Sequence, residues 1–323
     1  MSRTIAVADI GGTHARFALA TVEAGRVVEL GEPVTMNTAD HASFQLAWRD
    51  FCARNPGDEP DAIGIAFAGP VDGEMLKLTN NPWVIRPALM EEKLGVSDFT
   101  IVNDFGAIAH AVAQLGDQHF DHLCGPERSL AAHRLTSIVG PGTGLGVAQL
   151  LRAGDHYHVI ETEGGHGDFA PLDVLEDHIL TFLRRSLRRV SVERIASGSG
   201  LVNIYQALAA NEGKAVLDID DKALWTAAME GSDPIAGAAL DRFFLTLGAV
   251  TGDLALAHGA GCVVLAGGLS YRLRDRFARS GFADRFIAKG RFERRMEAIP
   301  VKLVTHPQPG LFGAAAAFAE SHP

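Results

Sequence analysis

Two glycine-rich turns, each set between apolar runs, constrain this chain more than any other feature. The first follows Ile5-Ala6-Val7-Ala8-Asp9-Ile10 as Gly11-Gly12-Thr13, and the second follows Ser137-Ile138-Val139-Gly140-Pro141 as Gly142-Thr143-Gly144. In both, a strand-like segment runs into glycines that allow positive φ and close backbone approach. It then resumes as a second strand-like segment, Arg16 to Ala20 or Leu145 to Leu151. Either turn alone is an ordinary hairpin turn. As a facing pair, they could offer backbone N–H groups and hydroxyls to a polyphosphate from two sides.

At 323 residues the chain exceeds the usual size of one hydrophobic core, so two domains are expected. A net charge of −10 argues against a nucleic-acid partner. It also means that a bound polyphosphate is held by backbone dipoles and a metal more than by lysines. Two arginine-rich stretches do not change this: Arg184, Arg185, Arg188 and Arg189 recur beside Leu183 and Leu187 with the spacing of a solvated helix face, and Arg291, Arg294 and Arg295 read likewise. Cys52, Cys124 and Cys262 are isolated and odd in number, which excludes a disulfide framework and suits a reducing cytosol. Asp9 interrupts the first apolar run, so no signal peptide is expected, and no apolar segment free of charge is long enough to span a bilayer.

The hydrophobic pattern predicts strands near 4–10, 15–20 and 27–34, a helix near 42–54, a strand at 62–68, a helix near 87–94, a strand at 100–103 and a helix from 106. This βββαβαβα order returns later, with strands near 137–139, 145–151 and 157–161. Helical segments follow through 173–188, 200–211, 221–230 and 234–258, then a strand at 262–266, a helix near 271–279, a strand at 301–305 and a last helix from 310. The second copy is the first with a helical insertion. Such a pattern predicts an α/β fold with mixed sheets covered by helices on both faces. The expected domains are 1–110 with 306–323, a small α/β domain, and 111–305, a larger one carrying the insertion, with the active site in the cleft between them.

With both hairpins in place, the chain resembles the bacterial glucokinase family, in the hexokinase branch of the actin-like ATPase superfamily. The resemblance covers essentially the full length. It rests on seven ordered motifs: Asp9-Ile10-Gly11-Gly12-Thr13, Leu78-Thr79-Asn80-Asn81-Pro82-Trp83, Val102-Asn103-Asp104-Phe105, Gly142-Thr143-Gly144-Leu145-Gly146, Glu163-Gly164-Gly165-His166, Val192-Glu193-Arg194 and Leu265-Ala266-Gly267-Gly268. It implies a two-lobed actin-like (ribonuclease H-like) fold and a cytoplasmic homodimer with no membrane or nucleic-acid partner. The implied reaction is transfer of the γ-phosphoryl of MgATP to the 6-hydroxyl of glucose, giving glucose 6-phosphate and ADP. Alternatives are a kinase for mannose, fructose or glucosamine, a sugar sensor without catalysis, or an actin-like ATPase.

Asn103-Asp104 closes a predicted strand, and ligands of open α/β sheets gather at carboxyl-terminal strand ends. From the residues alone, Asp104 also reads as an N-cap of the following helix. The resemblance makes Asp104 the general base and rings the sugar with Asn80, Asn103, Asp104, Glu163, His166 and Glu193. It assigns Asp9 to Mg2+ through water, Gly11, Gly12, Thr13, Gly142, Thr143 and Gly144 to the phosphates, and Gly267-Gly268 to the adenosine pocket. The tripeptide Asp104-Phe105-Gly106 matches the protein-kinase metal motif by accident, since none of its companion motifs is present. Neither glycine turn is a P-loop, because no Lys-Ser or Lys-Thr follows. A metal site from Glu161, Glu163, His166 and Asp168 is a weaker reading. His14 stands where the family often has asparagine, and Asn81-Pro82 also varies within the family.

Overall fold

β1 (Arg3–Ile10) buries Ile5 and Val7 on one face and Ala6, Ala8 and Ile10 on the other, so its sheet needs cover on both sides. The computed structural model, which describes residues 2–57, 60–78, 81–154, 156–215 and 220–323, shows where that cover comes from. Ala6, Ala8 and Ile10 pack with Trp48 and Phe51 of α1 (Phe44–Arg54). Ile5 and Val7 pack with Leu311, Ala314 and Phe318 of the C-terminal helix.

The chain forms two compact units, Met1–Gly116 with His306–Pro323, and Asp117–Thr305. A boundary at residue 110 would cut a helix that runs to Gln114, and the division falls after it.

In the first unit, β2 (His14–Glu23) turns back antiparallel to β1, and β3 (Arg26–Leu30) and β4 (Val34–Asn37) both pair with β2. The single strand expected over 27–34 is thus two, because Pro33 lacks the N–H that would continue a ladder. β5 (Ala62–Phe67) pairs parallel with β1, a two-stranded hairpin of β6 (Leu76–Lys77) and β7 (Val84–Ile85) follows, and α2 (Met90–Leu94) leads to β8 (Asp98–Asn103), parallel to β5. α3 (Asp104–Gln114) closes this part of the chain. The order is β3-β2-β1-β5-β8. β5 presents the small residues Ala62, Gly64 and Ala66 toward the C-terminal helix, which lets that helix lie close. A Cβ at Gly64 would stand 2.5 Å from the Ala314 carbonyl oxygen.

The second unit repeats the scheme. Its sheet runs β12-β11-β10-β13-β14-β9, from β9 (Phe120–Cys124), β10 (Leu135–Pro141), β11 (Leu145–Ala153), β12 (His156–Thr162), β13 (Cys262–Leu265) and β14 (Val301–Val304). β10 is antiparallel to β11 and parallel to β13, as β1 is to β2 and β5. β9, absent from the sequence expectation, adds an antiparallel edge beside β14.

The insertion supplies α4 (Val174–Leu183), α5 (Gly200–Asn211), α6 (Asp221–Glu230) and α7 (Pro234–His258). After β13 come α8 (Gly267–Arg272), α9 (Phe282–Ile287) and α10 (Glu293–Met296), and after β14 comes α11 (Pro309–Ser321), the C-terminal helix of the first unit. The helix expected over 271–279 begins earlier, at Gly267, and continues as a 3-10 turn over Arg274–Arg279.

The long helix α7 carries Asp241, Arg242 and Asp253, so it is not a charge-free apolar segment of the kind considered for a bilayer span. Among the described residues it is the one helix long and apolar enough by length and composition, and 72% of its most apolar window is buried in the protein. Its glycines explain the burial: Gly248 and Gly252 lie against the backbone of Phe282 and Phe286 in α9, leaving no room for a Cβ.

Burial of His110 on α3 pushes its pKa down from 6.5 to about 4. The folded chain therefore binds fewer protons than the unfolded chain between those values. The associated stability is present above pH 6.5 and is lost as pH falls toward 4. Between pH 7 and pH 5 the loss amounts to about 2 kcal/mol. Urea unfolding of the parent and of His110→Leu should show the parent losing that much more stability over this range; parallel pH profiles would refute the assignment.

Candidate active site

The first glycine turn is built by bonds to its carbonyls. Gly11 N–H donates to the His14 carbonyl at 2.9 Å, closing the β1–β2 hairpin. The Gly12 carbonyl accepts from Thr38 Oγ1 at 2.8 Å and Asn81 Nδ2 at 2.9 Å, and the Thr13 carbonyl accepts from Thr38 N–H at 3.0 Å. With its carbonyls so occupied, the turn leaves Thr13 exposed at its tip.

Asp9 sits on β1 beside this turn. Burial raises its pKa, and Arg16, whose Nη1 lies 3.2 Å from Asp9 Oδ2, acts in the opposite direction. Gly310, the second residue of α11, abuts the carboxylate: a Cβ there would stand 2.9 Å from Asp9 Oδ2. A carboxylate close to a helix N-terminus is favourably placed. Sequence reading passed over Gly310, Thr38 and Asn81 as supports; the Pro309-Gly310 pair opening the last helix is the one signal that could have pointed to the first of them.

At the end of β8, Asn103 rather than Asp104 caps α3. Asn103 Oδ1 accepts from the N–H groups of Phe105 at 2.9 Å and Gly106 at 3.4 Å, while its Nδ2 donates to the Gly69 carbonyl at 3.1 Å. Gly69 has φ +153°, which suits glycine. Asp104 is the first helical residue, and its Oδ1 also accepts from Phe105 N–H at 2.9 Å. The cap thus fixes the backbone from which the Asp104 carboxylate projects. Asn80, with Thr79, lies outside the described residues.

In the second unit three segments converge. Gly142-Thr143-Gly144 joins β10 to β11, closed by Gly142 N–H to the Gly144 carbonyl at 2.8 Å and tied to the next segment by Gly198 N–H to the Gly142 carbonyl at 2.7 Å. Glu193, in a 3-10 turn over Val192–Arg194, accepts from Leu145 N–H through Oε2 at 3.1 Å. A Cβ on Gly144 would overlap that carboxylate, so the glycine admits Glu193. Glu163 and His166 flank a 3-10 turn over Gly164–His166, with His166 Nε2 3.8 Å from Glu163 Oε2 and both side chains more than half exposed. Gly165 lies on the Leu145 carbonyl with no room for a Cβ.

The glycines of the two turns, Gly11, Gly12, Gly142 and Gly144, do not use the positive φ that glycine allows. At Gly144 the requirement is close approach instead. Gly267, which opens α8 after β13, does adopt φ +89°, and Gly268 beside it has open space over its Cα. Among the described residues no group of three His, Cys, Asp or Glu side chains could hold a metal ion. Asp168, one of the four in the weaker metal reading, is paired with Arg189.

A glucokinase family model matches residues 6–321. The glucokinase of Zymomonas mobilis subsp. mobilis is 58% identical over 98% of both chains. A crystal structure of glucokinase from an Antarctic psychrotroph superposes with a TM-score of 0.85 at 34% identity, covering 98% of each chain. The glucokinase of Balamuthia mandrillaris, solved in complex with glucose, shares the fold at a TM-score of 0.75 and 22% identity over 98% of this chain and 94% of that one. Motifs from Asp9 to Gly268 lie in order on this scaffold, and relatives match it end to end: the chain belongs to the glucokinase family.

Proposed function

We propose that the chain transfers the γ-phosphoryl group of MgATP to the 6-hydroxyl of glucose, with Asp104 accepting the hydroxyl proton. The observation that carries this reading is the end-to-end identity of 58% to a glucokinase. The local geometry is consistent with it. Asn103 holds the start of α3 so that a carboxylate stands at a carboxyl-terminal strand end, where positioning matters more than basicity because the proton is released late in phosphoryl transfer. Asn80, Asn103, Glu163, His166 and Glu193 would bind the sugar hydroxyls, which donate and accept together and so suit amides and carboxylates. Gly11, Gly12, Thr13, Gly142, Thr143 and Gly144 would line the phosphates, and Gly267 and Gly268 the adenosine.

Mg2+ retains several waters and commonly takes only one or two carboxylates, so a single carboxylate such as Asp9, placed beside the first glycine turn, fits water-mediated contact. When bound it offsets the nucleotide charge, which a chain of net −10 meets with few cations of its own. The family resemblance further supports a cytoplasmic homodimer.

Release of ADP, measured with MgATP against glucose, mannose, fructose and glucosamine and without sugar, tests the reading. We expect turnover to require a sugar and kcat/KM to be highest for glucose. Hydrolysis independent of sugar, or a clear preference for another hexose, would overturn it.

A further inference from the structure

We propose that Arg189 is a positioning residue that locks together the two loops carrying Glu163, His166 and Glu193, and thereby sets the affinity for the sugar. This rests on the reading of those three side chains as sugar-facing. Arg189 does not lie on a helix face, as its spacing from Arg185 suggests: α4 ends at Leu183, and Arg189 and Val190 lie outside any helix. There its guanidinium spans two groups of the neighbouring loop. Nη2 donates to the His166 carbonyl and Nε to Asp168 Oδ1, each at 2.5 Å.

Backbone bonds continue the clamp on both sides. Phe169 N–H donates to the Val190 carbonyl at 3.0 Å, Val192 N–H to the Gly167 carbonyl at 2.9 Å, and Asp168 and Ser191 form an isolated antiparallel bridge. The clamped segment enters directly from Glu163-Gly164-Gly165-His166 and the clamping one leaves directly into Glu193. Glu193 in turn holds Leu145 N–H beside the second glycine turn.

The loop needs such a clamp because Gly164, Gly165 and Gly167 make it intrinsically free, and that freedom must be lost whenever a ligand is held. Arginine suits the task, since its planar fork reaches a carbonyl and a carboxylate together, whereas lysine offers a point charge. Arg189 and Asp168 are 58% and 75% exposed, so the pair contributes little to global stability. Its effect falls on the position of Glu163 and His166 relative to Glu193.

Steady-state kinetics of Arg189→Met, Arg189→Lys, Asp168→Ala and the double variant Arg189→Met/Asp168→Ala test the inference. For Arg189→Met we expect the KM for glucose to rise about tenfold, with the KM for ATP within about twofold, kcat at saturating glucose within about threefold and the melting temperature unchanged. Arg189→Lys should recover only part of the loss, and the double variant should be no worse than Arg189→Met, since both substitutions break one clamp. A KM for glucose within twofold of the parent overturns the inference. So does an equal rise in both KM values, or a lowered melting temperature, which would make Arg189 a general support. A parent chain that leaves glucose untouched overturns the functional reading and this inference with it.

Discussion

Replacing Asp104 by alanine lowers the turnover of glucose phosphorylation by about 100-fold to 10,000-fold, the range expected when a general base is lost. The fold should survive, because the cap of α3 belongs to Asn103, whose Oδ1 serves both Phe105 and Gly106. Loss of a carboxylate in the first turn of a helix costs only about 0.3–1 kcal/mol through the helix dipole. Asp104→Asn separates the chemistry from the local structure, since an amide oxygen can still accept from Phe105 N–H but cannot take a proton. We expect both variants to bind glucose and to lose kcat alike. If Asp104→Ala turns over within about threefold of the parent, or if Asp104→Asn retains most of the activity, the base lies elsewhere.

Gly313→Ala should destabilise the first unit strongly, although glycine-to-alanine exchange inside a helix ordinarily gains about 1 kcal/mol. Gly313 lies within α11, where its missing side chain lets the helix cross α3 against the backbone of Ala107. A Cβ at 313 would overlap the Ala107 carbonyl oxygen. The neighbour is backbone, so it cannot rotate away, and relief requires the two helices to separate. Overpacking of this kind costs about 1–3 kcal/mol and occasionally more. Separation would also loosen Ala314, Ala315 and Phe318, which are buried against the sheet together with Ala107. The propensity gain is therefore outweighed, and we expect a net loss of about 2 kcal/mol or more in urea unfolding followed by a probe in the first unit. Gly237→Ala is the control, because a Cβ at that position of α7 meets nothing within 4 Å. An unchanged midpoint for Gly313→Ala would show that the crossing is looser than described.

Local pattern made much of the fold legible. β1 and β5 are short apolar runs bounded by turn residues, and the hairpin glycines stand where each strand must reverse. Elements set by partners far along the chain were harder to see. β9 carries Asp121 and His122 and reads as a loop until β14 lies beside it. The arginine run after α4 has helical spacing, yet Arg189 is drawn out of it by Asp168 and the His166 carbonyl.

The same division holds at the site. Residue types and their order along the chain, from Asp9 through Asn103-Asp104 and Glu163 to Gly267-Gly268, were sufficient to name the family, because motifs are local and survive in one dimension. Tertiary structure alone decided why particular glycines stand where they do: Gly144 to admit Glu193, Gly310 to admit Asp9, and Gly313 to admit Ala107. It also decided that Asn103, not Asp104, caps the helix, and that Arg189 joins two loops. Close approach is a relation between segments distant in sequence. The absence of a side chain records that something comes near, and only the folded chain shows what does.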